Sequence, residues 1–195
     1  LDEEEHDFTF NYDEDTTKVT VIVPMELRNE KRRLELDVNK VDKDHHDHFL
    51  NGAIFEVYDK TAKSYVTTLA SGQLMIVGND ANEEYEISKN EDFTKIIKTV
   101  KTDENKQIIL DIEDGTYYSR KVGDDKVSKH VIKDGNAVLA DAIYGHEYEF
   151  KEIKAPTSYQ LADKSKAYKV DADKDTDTII YYFENARIVV PNTGV

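Results

Sequence analysis

The stretch KEIKAPTSY, Lys151 to Tyr159, sets Glu152 between two lysines at the end of the apolar run YEFKEI, just before an Ala-Pro step. Its neighbours suggest burial, and a buried carboxyl group does chemistry that a solvated one does not. Burial favours its neutral form, so it can donate a hydrogen bond to a carbonyl or pass a proton between two neighbours. Two other stretches concentrate reactive side chains. DKDHHDHF, Asp42 to Phe49, places His45, His46 and His48 among acids, but in a turn between two strand-like segments, so a solvated turn is the favoured reading over a metal site. DADKDTD, Asp171 to Asp177, spaces carboxylates like the start of a calcium loop, yet Thr176 stands where the sixth-position glycine belongs and Tyr182 where the twelfth-position glutamate belongs. No Gly-x-Ser-x-Gly nucleophile motif supports a Ser-His-Asp arrangement, so a turnover enzyme is not expected.

Composition narrows the field further. The 195 residues suffice for one full domain and a smaller second one, with 38% hydrophobic and 34% charged residues. A net charge of −15 argues against nucleic acid and anionic membranes as partners. The absence of cysteine removes thiol catalysis, zinc ribbons and disulfide staples together, so an extracellular version of this chain must draw its stability from elsewhere. No apolar run approaches membrane-spanning length and no signal peptide opens the sequence. The opening LDEEE reads as an internal point of a longer precursor, and no metal or cofactor is called for.

The elements that must position Glu152 are strands. KVTVIV, LELDV, AIFEVYD, QLMIV, QIILDI, TYYSRKV, YEFKEI and TIIYYF are rich in Val, Ile, Tyr and Phe and are punctuated by Asn-Gly, Asp-Gly and Tyr-Gly turns. NEDFTKIIKTVK fits a helical turn or a strand equally well. Many short strands predict an all-β antiparallel sandwich. An internal echo aligns Phe8 to Val23 with Tyr168 to Phe183 at an offset of 160, matching Phe8 with Tyr168, Asp13 with Asp173, Asp15 with Asp175 and Thr16 with Thr176. Each copy reads as a terminal hairpin, which makes residues 1–32 the last hairpin of a preceding, truncated domain and pairs Asn29 with Asn185.

Three pieces, NKVDKD…LNGAIFEVYD (Asn39 to Asp59), KEIKAPTSY, and YYFENARI followed by VPNTG, resemble in order and wording the Cna B-type (SpaA-like) domains of Gram-positive surface adhesins and pilins. There a first strand reads Lys-x-Asp before Leu-x-Gly-Ala-x-Phe, a later strand carries the box Glu-Thr-x-Ala-Pro-x-Gly-Tyr, and the last strand ends on Asn. The likeness covers residues 34–60 and 128–188 and implies an Ig-like sandwich over 33–190. It also implies that Lys40 and Asn185 are joined by a spontaneous intramolecular isopeptide bond with Glu152 as catalyst. The sequence departs at Ile153, where Thr is usual, and at Ser158, where Gly is usual. The chemistry is physically reasonable. Burial lowers the pKa of a lysine toward neutrality, which frees its nucleophilic amine. A neutral glutamic acid can hydrogen-bond the Asn185 carbonyl and relay protons to departing ammonia.

Val190, Pro191, Asn192, Thr193 and Gly194 resemble the Leu-Pro-x-Thr-Gly signal cleaved by sortases, with Val for Leu, which implies a wall-anchored extracellular protein whose partners are sortase and peptidoglycan or another pilin subunit. No Tyr-Pro-Lys-Asn pilin motif is found, so a backbone pilin is less favoured. Residues 70–125 exceed what a minimal domain needs and predict an inserted β subdomain. Two functions follow as expectations: a self-locked stalk domain, or a module that binds a host ligand or glycan through the insertion. Tyr117 and Tyr118 are the clustered aromatics there, and they are expected to be core residues.

Overall fold

The structure, a computed structural model, describes residues 7–12, 15–20, 31–173 and 175–194. The chain divides into two compact units, Leu1–Lys31 and Arg32–Val195. In the first, β1 (Asp7–Tyr12) and β2 (Asp15–Thr20) pair antiparallel, from Asp7 opposite Thr20 to Tyr12 opposite Asp15. Asn29 lies outside the described residues.

The second unit is built from β3 (Arg33–Asp42), β4 (Ile54–Asp59), β5 (Ser64–Ala70), β6 (Leu74–Val77), β7 (Glu84–Ser88), β8 (Ile96–Lys101), β9 (Gln107–Leu110), β10 (Gly115–Lys121), β11 (Ser128–Ile132), β12 (Asn136–Ile143), β13 (Glu147–Lys154), β14 (Lys166–Lys169) and β15 (Thr178–Asn185). No helix occurs among the described residues, so none is long and apolar enough to cross a membrane. The stretch NEDFTKIIKTVK resolves into a turn holding the buried Phe93, followed by β8.

Two sheets, ordered β12-β3-β15 and β14-β13-β4-β5, face each other across the main core. Leu34, Leu36, Val38, Leu139 and Phe183 enter it from the first sheet, and Phe55, Val57, Tyr148, Phe150 and Tyr168 from the second. Edge-to-face rings knit the middle: Phe55 lies 4.9 Å from Phe183 and 5.9 Å from Phe150. Among the described residues all strand pairings are antiparallel but one. β15 runs parallel to β3 along its whole length, with Phe183 opposite Lys40 and Asn185 opposite Asp42. β14 and β15 lie in different sheets, so the C-terminal half of the sequence echo is a sheet crossover and not the hairpin that the alignment suggested. Strands β6 to β11 build two further sheets, β6-β9 and β11-β10-β7-β8, around a second core of Leu74, Ile76, Ile87, Ile108, Tyr117 and Ile132.

Period-two alternation places the polar residues of interest. On β13 the inward slots fall to Tyr148, Phe150 and then Glu152, and on β3 to Leu34, Leu36, Val38 and then Lys40. On β15 Phe183 is followed inward by Asn185. Each strand thus ends its apolar face on a polar side chain, and the three ends coincide. A bulge after Glu152 leaves Ile153 exposed and bends β13 into the following loop.

That loop folds back over the end of the sandwich. The Tyr159 N–H donates to the Pro156 carbonyl, the Gln160 N–H to Ala186, and the Ile188 N–H to Ser158. Ser158 sits at φ 71°, in the left-handed region where a side chain is strained, at the very position where the resemblance expects glycine. Ser158→Gly should therefore stabilise the fold by about 0.5 kcal/mol and raise the denaturation midpoint, since release of about 1 kcal/mol of strain exceeds the entropy that glycine adds to the unfolded chain. A lower midpoint would show that the loop does not need the left-handed conformation.

Candidate functional site

Lys40, Glu152 and Asn185 come together at this end of the sandwich, 0%, 4% and 3% exposed. Lys40 and Asn185 sit on the paired strands β3 and β15, two residues apart in register and therefore on the same face. Glu152 reaches them from the opposite sheet. The Lys40 Nζ lies 3.7 Å from Glu152 Oε1 and donates to the Phe183 carbonyl at 3.2 Å. The Asn185 Nδ2 donates to both carboxylate oxygens, at 2.9 and 2.8 Å, and to the Gln160 carbonyl at 2.9 Å. The backbone N–H of Ala162 donates to Glu152 Oε2 at 2.8 Å.

These contacts correct one detail of the sequence-based chemistry. Glu152 faces the amide nitrogen of Asn185, not its carbonyl, because the Gln160 carbonyl accepts only a donor and so fixes which way the amide points. Asn185 Oδ1 is left buried with no hydrogen-bond partner. One carboxylate thus touches both nitrogens, the amine and the amide.

The amine is poised electrostatically. Burial pushes the Lys40 pKa down to about 8, against the pull of Glu152 and with some help from Lys166. Phe183 lies under the same amine, 4.9 Å to its centroid, and gives it an apolar wall. On the opposite face of β3, Lys133 is ion-paired with Glu35 and, at 2.7 Å, with Asp37. Burial works against its charge as well, but the two carboxylates prevail and raise its pKa, which keeps it an ammonium ion. The half-exposed Lys133 meets two acids and stays charged, whereas Lys40, fully buried and facing one, is driven the other way.

A neighbouring cluster was missed by the sequence reading. Asp42 Oδ2 accepts hydrogen bonds from the Tyr159 hydroxyl at 2.8 Å and from Arg187 Nε at 2.7 Å, and its Oδ1 accepts from the Asp44 and His45 N–H groups. Arg187, then Tyr159 and the Asp44 N–H, hold the Asp42 carboxyl well below the usual range. The available signal was the Lys-x-Asp and Ala-Pro-x-x-Tyr wording itself, whose Asp and Tyr had been given no task. The three histidines separate: His46 meets Glu184 at 2.6 Å and stacks on Tyr182, while His48 accepts from Arg187 at 3.2 Å. Among the described residues no group of three or more His, Asp or Glu side chains is arranged to hold a metal ion. Val190, Pro191, Asn192, Thr193 and Gly194 lie exposed beyond β15, outside the sheets.

A family model described as the SpaA prealbumin-like fold domain matches residues 35–187. No curated protein sequence matches the chain. Among solved structures, the minor pilin GBS52 of Streptococcus agalactiae is 21% identical over 85% of this chain and 49% of its own, with a TM-score of 0.40. The pilus 2b backbone protein of group B streptococcus is 19% identical over 91% of this chain and 46% of its own, with a TM-score of 0.39. The full-length major pilin SpaD of Corynebacterium diphtheriae is 17% identical over 82% and 32%, with a TM-score of 0.34. The chain therefore spans about half or less of the length of these proteins. With the family match covering most of the sequence, from the strand that carries Lys40 to the one that carries Asn185, the chain belongs to the SpaA prealbumin-like fold domain family.

Proposed function

We propose that Arg32–Val195 is a structural stalk domain of a sortase-anchored Gram-positive surface protein, locked by a self-formed isopeptide bond between Lys40 and Asn185. The observation that carries this reading is the single carboxylate of Glu152 in contact with both the amine and the amide nitrogen. In the reaction, neutral Lys40 Nζ attacks Asn185 Cγ. Glu152 takes a proton from Nζ and delivers it to Nδ2, the Cγ–Nδ2 bond breaks, and ammonia leaves. One C–N bond forms, one breaks, no electrons are exchanged, and Glu152 returns to its starting state. Adjacent strands and the Gln160 carbonyl supply the orientation, so the step is effectively unimolecular. The domain turns over once and is not an enzyme in the ordinary sense.

In this reading residues 1–32 end a preceding domain, the subdomain expected over residues 70–125 is an insertion that widens the stalk, and Val190–Gly194 is the sortase signal that places the protein at the cell wall. The binding-module alternative has less aromatic surface to draw on than the Tyr117–Tyr118 pair suggests: Tyr117 is 1% exposed and donates its hydroxyl proton to the Glu113 carbonyl, while Tyr118, expected in the core, is only half-buried.

Intact-mass measurement should find the chain lighter than its sequence by one ammonia. Lys40→Ala, Glu152→Ala and Asn185→Ala should each restore the full mass, with the glutamate variant retaining slow residual reaction. All three should unfold more readily, because the bond closes a loop of about 145 residues, which the chain-entropy estimate values at up to about 5 kcal/mol. A wild-type mass equal to the unmodified sequence ends this proposal.

The pH dependence of bond formation follows from the lysine. Only the neutral amine attacks, and its pKa is lowered to about 8, so the neutral fraction rises with pH until that point. The rate in freshly synthesised chain should climb about tenfold per pH unit below that value and level off above it. A rate that is flat from pH 6 to 9 would remove Lys40 deprotonation from the mechanism.

A further inference from the structure

We propose that Asp42, Tyr159 and Arg187 form a positioning clasp that aligns the reacting groups before the bond forms. This rests on the crosslinking reading above and adds residues that touch none of the reacting atoms. Asp42 follows Lys40 by two residues on β3, Arg187 follows Asn185 by two residues past β15, and Tyr159 directly precedes Gln160. One carboxylate oxygen, Asp42 Oδ2, receives both the Tyr159 hydroxyl and Arg187 Nε, so the three chain segments that carry the site meet at a single atom.

The consequence runs through the backbone. Tyr159 fixes the loop whose next residue turns its carbonyl onto Asn185 Nδ2 and its N–H onto the Ala186 carbonyl. Two residues further on, the Ala162 N–H holds Glu152 Oε2. The loop therefore sets both the direction of the leaving amine and the angle of the carboxylate, and Tyr159 anchors it. Tyr159 and Arg187 also face each other as an isolated bridge, which ties the loop to the chain just beyond Asn185. The anchor is buried where it matters: Asp42 is 1% and Tyr159 9% exposed. A hydrogen bond to a carboxylate withdrawn from water is stronger and more directional than one at the surface.

The test follows crosslinking in time by intact mass, using the full chain made by cell-free synthesis. Tyr159→Phe keeps the ring and removes only the hydroxyl. It should slow the loss of ammonia roughly tenfold or more, the scale expected when reacting groups are misaligned by a fraction of an ångström. Two readouts separate positioning from plain stability. In a Lys40→Ala background, which cannot react, Tyr159→Phe should leave the chain fully folded at the reaction temperature. In the reactive background the pH profile should keep its inflection near the wild-type value, since the surroundings of Lys40 are untouched. Arg187→Gln should slow the reaction as well, and Arg187→Lys should recover part of the rate.

Wild-type rates in Tyr159→Phe, with wild type itself crosslinking, would overturn the clasp and leave the isopeptide reading standing. Unfolding of Tyr159→Phe in the Lys40→Ala background would also overturn it, by making the tyrosine a stability residue. A wild type that never loses ammonia would end both.

Discussion

The parallel pairing of β3 with β15 is the constraint on which the rest of the site depends. Antiparallel neighbours can be joined by a short turn, whereas parallel neighbours need a crossover. Here the crossover is nearly the whole domain: every other strand of the second unit lies between these two in sequence. Pairing the first strand of the unit with its last puts Lys40 and Asn185 on one face at one end, and the opposite sheet has only to deliver Glu152. Such a contact is costly in loop-closure entropy. A covalent bond at this position would fix the contact that the chain finds hardest to hold.

The polar groups of the site are incompletely satisfied as they stand. A buried ion pair seldom recovers the cost of taking both charges out of water, unless additional hydrogen bonds satisfy each partner. Glu152 is well satisfied by Asn185 and Ala162, while Lys40 has one carbonyl and a carboxylate 3.7 Å away. Asn185 Oδ1 has no partner. The amide proposed between Lys40 and Asn185 would replace a buried charge by a neutral group that costs less to keep out of water. In the proposed reaction, the incomplete satisfaction of the unreacted groups would itself favour the crosslink.

Much of this was legible in the sequence. The strands rich in Val, Ile, Tyr and Phe were visible, and so were Lys40, Glu152 and Asn185, because each closes an apolar run within recognisable wording. β12 was not. NAVLADAI is rich in alanine, a weak strand former, and the register shift between Leu139 and Ala142 breaks its alternation. The parallel partnership of β3 with β15 leaves no local trace, since pairing between distant strands is decided by the packed core and not by either strand alone. The sequence echo misled for the same reason: strand, acidic turn and strand reads as a hairpin, but β14 and β15 leave that turn for opposite sheets. Which atom of Asn185 faces Glu152 depends on the Gln160 carbonyl, a backbone group with no signature in side-chain identity.

The order of features along the C-terminal segment gives the site its mechanical sense. After Asn185 come Ala186 and Arg187, paired with the Ser158–Gln160 loop, and then the exposed run that ends in Val190–Gly194. In the proposed role, tension from a wall anchor would enter at that run and meet the Arg187–Asp42–Tyr159 contacts first. These are hydrogen bonds and an ion pair, which can yield and re-form. Behind them the load would reach Asn185 and pass through the crosslink to Lys40 on β3, which is also the strand by which the preceding unit enters the domain. The sandwich between would then carry little of the force. That would relieve its cores of a demand which a chain without cysteine could not meet with disulfides, and in the proposed role would leave strands β6 to β11 free to vary.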